Sequence, residues 1–500
     1  MKRYCYFFVL CLSLLGCGDF LEEASQDEVR PSTTEDLEQL MLGEAYLRTD
    51  NLFPYLDLLT DDVQNAYSSN ERDIPLWEKG TPAFMWSRLM LDEMAEKEAT
   101  GIDTWEMLYA KIKGCNVALD MLERVEGGVE IKQNLKGQAL ALRSYYYFLL
   151  VNTFAQPYNK GGIDLQTAPG VPLILESSVK DDFPPRASLA KVYEQIESDL
   201  LLAADLIDKY GQANIRYKVT PLFVHHLLSR LYLYMEQWDK VVEQASIVIA
   251  KNPMLRQLDD FYVVGEDEWG FPVEGYDVDA AAVYNYDSPE MIWGYGSKTI
   301  NEVYYVAPDF VTYPGSLPIF AVSDALLSLY EPGDLRVEFF YMGYIKDWFF
   351  TKGILRGRKM SENYSGSSAR GMRVAETYLN RAEAKIRLFL ENGNDQLRNE
   401  ALEDLNYLRS FRFKRPYSDV NITDGQELLK FCLEERRREL SFEDHRWFDL
   451  RRLGMPELRH TISFSEGQQQ EVILEEGSDR YVLLIPTKVL ERNPALVQNP

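Results

Sequence analysis

Apolar residues in this chain recur mostly at helical spacing. Leu37, Leu40 and Met41 begin the series after Thr34, which is placed to cap a helix with Asp36 in its first turn. Trp105, Leu108, Ile112, Cys115 and Leu119 form a stripe along a helix from Thr104 to Leu122. Ala139, Leu142, Tyr146 and Leu149 mark one face of the next, from about Ile131 to Thr153, and Pro157 with Gly161 and Gly162 cannot continue it. Helix-turn-helix units follow. Ser188 to Lys209 reads as a helix, and Thr220-Pro221 opens another that runs to about Met235. A turn at Glu236 to Asp239 leads into a return helix stopped at Asn252-Pro253, and a further pair covers Arg373–Glu391 and Asn399–Arg412.

Small residues in these pairs (Ala245, Ala382, Ala384, Ala401) fall where two helices would approach closely. This is the logic of tetratricopeptide repeats, whose helices bury their faces only by stacking. The expected fold is therefore mainly α: a scaffold of irregular tetratricopeptide-like helix-turn-helix repeats. Between residues 255 and 371 the pattern changes to a loop-rich stretch dense in Tyr, Trp, Phe, Gly and Pro, with strand-like pieces such as Met291–Tyr295 and a helical patch at Ser323–Tyr330. We read it as an insertion on the helical frame, the kind of segment where binding residues concentrate.

The N-terminus changes the picture of where the protein works. Lys2 and Arg3 precede an apolar run from Tyr4 to Leu15, too short to span a bilayer and suited to a signal peptide. Leu14-Leu15-Gly16-Cys17 follows, with a small residue just before the cysteine, so residues 1–16 are expected to be removed and Cys17 to be lipidated. Residues 17–33 then form an acidic tether, and 34–500 one domain. Without its first 16 residues the chain keeps 484, and its formal charge moves from −26 to −28 as Lys2 and Arg3 leave. That acidity argues against nucleic acid and against anionic headgroups as partners.

The inventory of reactive groups is thin. Cys5 and Cys11 lie in the leader, which leaves Cys115 and Cys432, read as buried thiols on helices. The histidines are His225, His226, His445 and His460, and no metal-binding or nucleophile motif surrounds them. No catalytic residue, metal ligand or cofactor is assigned.

The C-terminal region carries a resemblance. Leu428 to Gly454, with Glu434-Glu435-Arg436-Arg437-Arg438-Glu439-Leu440 and then Phe442-Glu443-Asp444-His445-Arg446-Trp447-Phe448-Asp449-Leu450-Arg451-Arg452, resembles the late helix-turn-helix signature of the SusD/RagB family. The closing run through Ile485-Pro486, Asn493-Pro494 and Gln498-Asn499-Pro500 is similar to its usual ending. Cys17 to Glu22, Leu59 to Val63, Trp105 to Asn116, Asp324 to Arg336 and Arg373 to Ala384 follow the family order, so the resemblance spans essentially the whole chain. It implies a surface-exposed lipoprotein of the outer membrane that captures oligosaccharides and delivers them to a TonB-dependent transporter of the SusC type, without being an enzyme. Asp19, Glu22 and Glu23 resemble the export signal of such lipoproteins. A same-fold binder of peptides or another nutrient, and a surface glycosidase, are the competing readings.

The acidic residues of the late signature invite a catalytic reading, but Glu434 and Glu435 lie four and three residues from Arg438 and can pair along a helix. Leu429, Leu433 and Leu440 are expected to form the buried face there, with His445 in the core. Asp61 and Asp62 are weighed as calcium ligands against a loop or cap role, which is favoured. For the ligand, sugar C–H patches call for ring faces and hydroxyls for polar partners. Rings in irregular segments are the candidates: Tyr67, Trp77 and Trp86 near Asn65, Asn70 and Arg72, then Trp269, Tyr276, Tyr304, Tyr305 and Tyr313 in the insertion. Phe148 and Trp447 are assigned to the core, with at least one of Trp293 and Tyr295 facing inwards.

Overall fold

A computed structural model describes residues 31–48, 52–65, 74–178, 183–212, 215–266, 272–296, 320–342, 356–357, 359, 370–465 and 467–500. The first helix, α1 (Thr34–Leu40), is capped by Thr33 and not by Thr34: the Thr33 hydroxyl accepts from the Asp36 N–H while the Asp36 carboxylate accepts from the Thr33 N–H. Thr34 is fully helical and buried. Helices α2 (Ile74–Phe84) and α3 (Met90–Glu96) then lead to the long pair α4 (Thr104–Met121) and α5 (Val129–Phe154).

From here each helix packs on the next. α5 lies against α6 (Leu189–Tyr210), α6 against α7 (Pro221–Tyr234), and α7 against α8 (Trp238–Lys251). The local signals act as expected. The Ser188 side chain accepts from the Lys191 N–H, and the Thr220 side chain accepts from the Phe223 N–H with Pro221 in the first turn. The insertion follows, with short helices α9 (Asp324–Leu327) and α10 (Arg336–Phe339). The stack then resumes: α8 packs directly on α11 (Val374–Asn392), which packs on α12 (Asp395–Ser410) and α13 (Gly425–Leu440). The insertion thus leaves and re-enters between helices that are neighbours in space. Short helices α14 (Arg446–Arg452) and α15 (Thr487–Arg492) complete fifteen α-helices among the described residues.

α12 begins four residues before its expected start, because Asn394 caps it and Gly393, at φ +70°, ends α11. Ala245, Ala382, Ala384 and Ala401 are fully buried at the helix contacts, where a larger side chain would separate the axes. One continuous core runs from Leu37 to Val489. Cys115 and Cys432 are buried free thiols, and Phe148, Trp293, Tyr295 and Trp447 are all core residues. No helix among the described residues is long and apolar enough to cross a membrane.

Sheet is limited to two-stranded pieces. β1 (Val63–Asn65) pairs with β5 (Phe320–Val322) of the insertion, β2 (Tyr262–Glu266) with β3 (Pro272–Tyr276), β4 (Met291–Tyr295) with β8 (Arg370–Arg373), and β6 (Tyr341–Met342) with β7 (Arg356–Gly357). The hairpin β9 (Leu458–Ser465) and β10 (Gln468–Leu474), which the sequence reading did not foresee, packs beside β1.

Candidate binding surface

The sequence separates the early loop from the insertion by some 250 residues, yet the fold joins them. Antiparallel pairing sets Val63 opposite Val322, Gln64 opposite Ala321 and Asn65 opposite Phe320. The Ser323 N–H and hydroxyl donate to the carbonyls of Asp62 and Asp61 at 2.8 and 2.7 Å, fixing the register at the other end. Asn65 also reaches sideways, its Oδ1 accepting from the Ser463 N–H of β9 at 2.8 Å. Three chain segments therefore meet at Asn65.

Next to Ser463 the β9–β10 register skips one residue: Gln469 stands opposite Ser463 and Gln468 opposite Ser465. Phe464 is the extra residue of this bulge. A bulge re-aims a side chain that regular alternation would place elsewhere. Here the Phe464 ring, 44% exposed, meets the half-buried Trp77 of α2 edge-on, with ring centroids 5.7 Å apart. The Trp77 Nε1 is buried and finds no acceptor among the described residues, so the indole presents ring carbon to the outside and not its donor. Ile74, one turn earlier on α2, is also exposed. Phe464 went unnoticed in sequence because nothing in a single strand shows where a partner's register will slip.

The other predicted positions fall differently. Trp86 is corrected: it is 2% exposed, its Nε1 donates to the Leu59 carbonyl at 2.9 Å, and its ring stacks on His460 at 4.1 Å. His460 in turn stacks on Phe84 at 4.1 Å and sets its two ring nitrogens 2.7 and 2.9 Å from the carbonyls of Phe84 and Thr60. Burial pulls its pKa down while the two carbonyls push it up. Trp86 is thus a layer of a buried stack and offers no open ring face. Tyr276 is half-buried, its hydroxyl donating to Asp259 at 3.0 Å and its ring edge-on to Tyr262 and Phe339. Cys17, Tyr67, Arg72, Trp269, Tyr304, Tyr305 and Tyr313 lie outside the described residues.

The fold also holds a buried ionic hub. Arg336 of the insertion binds Asp334 and Glu435 at 2.6 Å each and Glu439 at 3.3 Å. Arg412 joins Glu439 at 3.0 Å to Glu290 at 2.7 Å, and Arg373 reaches Glu439 at 2.9 Å and Glu443. Lys359 donates to Glu443 at 2.6 Å, and burial lowers its amine to about 8. These residues come from the insertion, from β8, from the end of α12 and from α13, so the hub fastens the insertion to the scaffold. Burial alone would raise the carboxyls of Glu435 and Glu439, but the surrounding arginines hold both well below the usual range. Neither can hold the proton that a general acid for glycoside hydrolysis must donate. Glu435 and Glu439 belong to the buried face of α13, with Leu428 and Cys432, whereas Leu433 is only half-buried. Arg438 pairs with Glu435 at 2.7 Å, and Glu434 lies nearer Lys430.

A second cluster adjoins it. Glu376 accepts from Arg230 Nε at 2.7 Å and lies 2.8 Å from His226, and His445 is 3.6 Å away. Asp449 is held by Arg436 and Arg452, and Arg452 also binds Glu383 at 2.7 Å. Asp61 pairs with Arg446 at 2.8 Å, and Asp62 with Arg437 at 2.6 Å. Their charge is thus met by guanidinium groups, and no group of three metal-ligating side chains occurs among the described residues.

Two family models match this chain: one described as starch-binding and associating with the outer membrane, over residues 19–233, and the SusD family itself, over residues 340–500. The chain belongs to the SusD/RagB family. Its curated relatives include SusD-like protein P2 of Formosa agariphila, 26% identical over 100% of this chain and 99% of that protein. SusD-like protein P38 of the same organism is 23% identical, covering 90% and 92%. Solved structures share the fold. A SusD superfamily protein of Bacteroides thetaiotaomicron gives a TM-score of 0.68 at 21% identity, covering 94% of this chain and 100% of that one. A SusD-like carbohydrate binding protein of Bacteroides vulgatus gives 0.66 at 22%, covering 93% and 97%. As a SusD/RagB member, the chain is a binding protein of the outer membrane.

Proposed function

We propose that this protein is a surface carbohydrate-binding lipoprotein, tethered through Cys17, that captures oligosaccharides and delivers them to a SusC-like TonB-dependent transporter. The observation that carries the ligand-binding part is the join at Asn65. There the half-buried Trp77 and the exposed, bulged Phe464 offer ring surface beside the β1–β5 pair. Tyr67 and Arg72 follow Asn65 in the chain, and Tyr304, Tyr305 and Tyr313 precede Phe320, so both ring-bearing segments attach to one strand pair. Apolar ring faces with a few polar neighbours suit a sugar, whose C–H patches stack while its hydroxyls seek partners. The family description as starch-binding and the printed name of the Bacteroides vulgatus neighbour point to the same ligand class. The depressed carboxyls of the hub support binding without hydrolysis.

The test is affinity electrophoresis and calorimetry against a panel of oligosaccharides, with a peptide panel beside it. Alanine at Trp77, Trp269 and Tyr304 together is expected to abolish glycan binding with the helical circular dichroism unchanged. Undiminished affinity in that variant, or binding to peptides only, would move the site or the ligand class. Mass spectrometry of the mature N-terminus tests the Cys17 anchor. Cross-linking in outer membranes, expected to recover a large β-barrel partner, tests the transporter.

A further inference from the structure

Away from the aromatic surface, the segment after Val171 lies across α4 and α5 without forming helix or strand. Side chains of both helices hold it down. The Tyr109 hydroxyl donates to the Pro172 carbonyl at 2.8 Å, and Asn116 Nδ2 donates to that of Ile174 at 2.8 Å. The Tyr147 hydroxyl accepts from the Ile174 N–H at 2.7 Å and lies 2.8 Å from the same residue's carbonyl. Arg143, itself fixed to Asp199 at 2.8 Å, donates to the Leu175 carbonyl at 3.2 Å. Both backbone groups of Ile174 face the helices, so the N–H of its neighbour Leu173 points the other way. The N–H groups of Leu173 and Leu175 meet no acceptor among the described residues.

Between this segment and α4 is a cavity of about 440 Å3, within the roughly 300–1,000 Å3 usual for small-molecule sites. Ile112 closes its inner end, and Leu173, Ile174, Leu175 and Pro184 supply apolar wall. Lys113, one turn from both Tyr109 and Asn116, lines it with an ammonium that makes no ion pair among the described residues. Glu176 lies at the exposed rim, where the Ser178 hydroxyl donates to it. An apolar pocket with one uncommitted cation calls for an apolar body ending in one anion. We propose that this cavity binds a small monocarboxylate with an apolar body, its carboxylate on Lys113 and its body against Ile112 and Leu173. The site shares no residue with the aromatic surface and does not depend on the glycan reading.

The experiment uses the purified chain and the fluorescent fatty acid dansylaminoundecanoate. Wild type is expected to raise the dansyl emission saturably, decanoate to displace the probe, and decanol, with the same body and no charge, not to. Lys113→Glu should weaken binding about tenfold or more, since it turns an attraction into a repulsion. Leu173→Trp should fill the cavity and abolish the signal. Displacement by 4-hydroxycinnamate in preference to decanoate would assign an aromatic acid, and the reverse an acyl chain. Absence of a saturable rise with wild type, equal competition by decanol, or undiminished binding in Lys113→Glu would overturn the proposal. Lys113 is exposed, so its variant remains a valid test even where Leu173→Trp fails to fold.

Discussion

Two regions of this molecule reverse the usual arrangement of side chains. At α13 and α14, charge is inside: Arg336, Arg373, Arg412, Glu435 and Glu439 are all 2% exposed or less. At the end of β1, β5 and β9, aromatic ring reaches the outside, on the exposed Phe464 beside the half-buried Trp77. The hub satisfies its charges with bidentate, short contacts from several chain segments. An apolar replacement would often stabilise as well but would not specify how those segments meet. In the aromatic surface Trp77 packs against the core while the Phe464 ring stays largely outside it. Positional precision is concentrated in the first region and exposed ring area in the second.

The largest expected effect comes from breaking the hub. Glu439→Gln leaves Arg412 and Arg373 buried with a missing counter-charge and should cost about 3–5 kcal/mol. Urea unfolding followed by circular dichroism measures it, and a loss below about 1 kcal/mol would show that the hub relaxes or admits water.

Acid separates the two regions next. Burial lowers His445 to about 4, with the neighbouring Glu376 opposing and Arg230 and Arg436 assisting. Its folded pKa lies below the unfolded value near 6.5, so its contribution is full above that value and is lost as pH falls through about 4. For Glu443, burial would raise the carboxyl, but Arg373 and Lys359 hold it down to about 2, so its contribution is lost between the ordinary carboxylate value and there. Stability should therefore fall on acidification below about pH 6.5, by a few kcal/mol in all before the carboxylates protonate fully. His445→Asn should make the upper part of that curve shallower, leaving the share of the buried His226 and His460. A wild-type stability constant from pH 7 to 4 would refute the assignment of His445 as neutral and buried.

The aromatic surface should respond in the opposite way. Phe464→Ala is expected to change the unfolding midpoint little and to weaken glycan binding by about 1 kcal/mol, roughly fivefold. A large stability loss with intact binding would mean that the ring serves the hairpin and not a ligand.

Asp444 offers the smallest effect. It sits at φ +62° in the loop between α13 and α14 and pairs with Arg370 at 3.2 Å. Asp444→Gly relieves the left-handed backbone and removes the ion pair, so the net change should stay within about 1 kcal/mol. A loss of 2 kcal/mol or more would show that this pair, and not the buried hub alone, fastens β8.

Much of the frame was legible because its signals are local. Ser188, Thr220 and Pro221 start their helices by contacts within one turn, and apolar spacing along α4 marks which face turns inward, whereas α5 is buried on every side from Gly137 to Phe154. Errors of one to four residues, at Thr33 and Asn394, arose where more than one polar residue near the helix start could cap. The site was less legible. Trp86 sits among Gly, Pro and Ser residues and looks like a loop ring, yet a histidine far along the chain stacks on it.

By itself the sequence determined the helical repeats, the burial of the two thiols and the family, because periodicity, caps and ordered motifs are written in residues near one another. Only the tertiary structure decided that the buried face of α13 would be ionic, since Glu435 has one arginine partner on its own helix, Arg438, and the rest of the charge on Glu435 and Glu439 is met by Arg336, Arg373, Arg409 and Arg412 from distant segments. It also decided that Trp86 would be covered and Phe464 shown. Exposure is set by what packs alongside, and a strand register such as that of β9 against β10 is fixed by pairing and not by either strand alone.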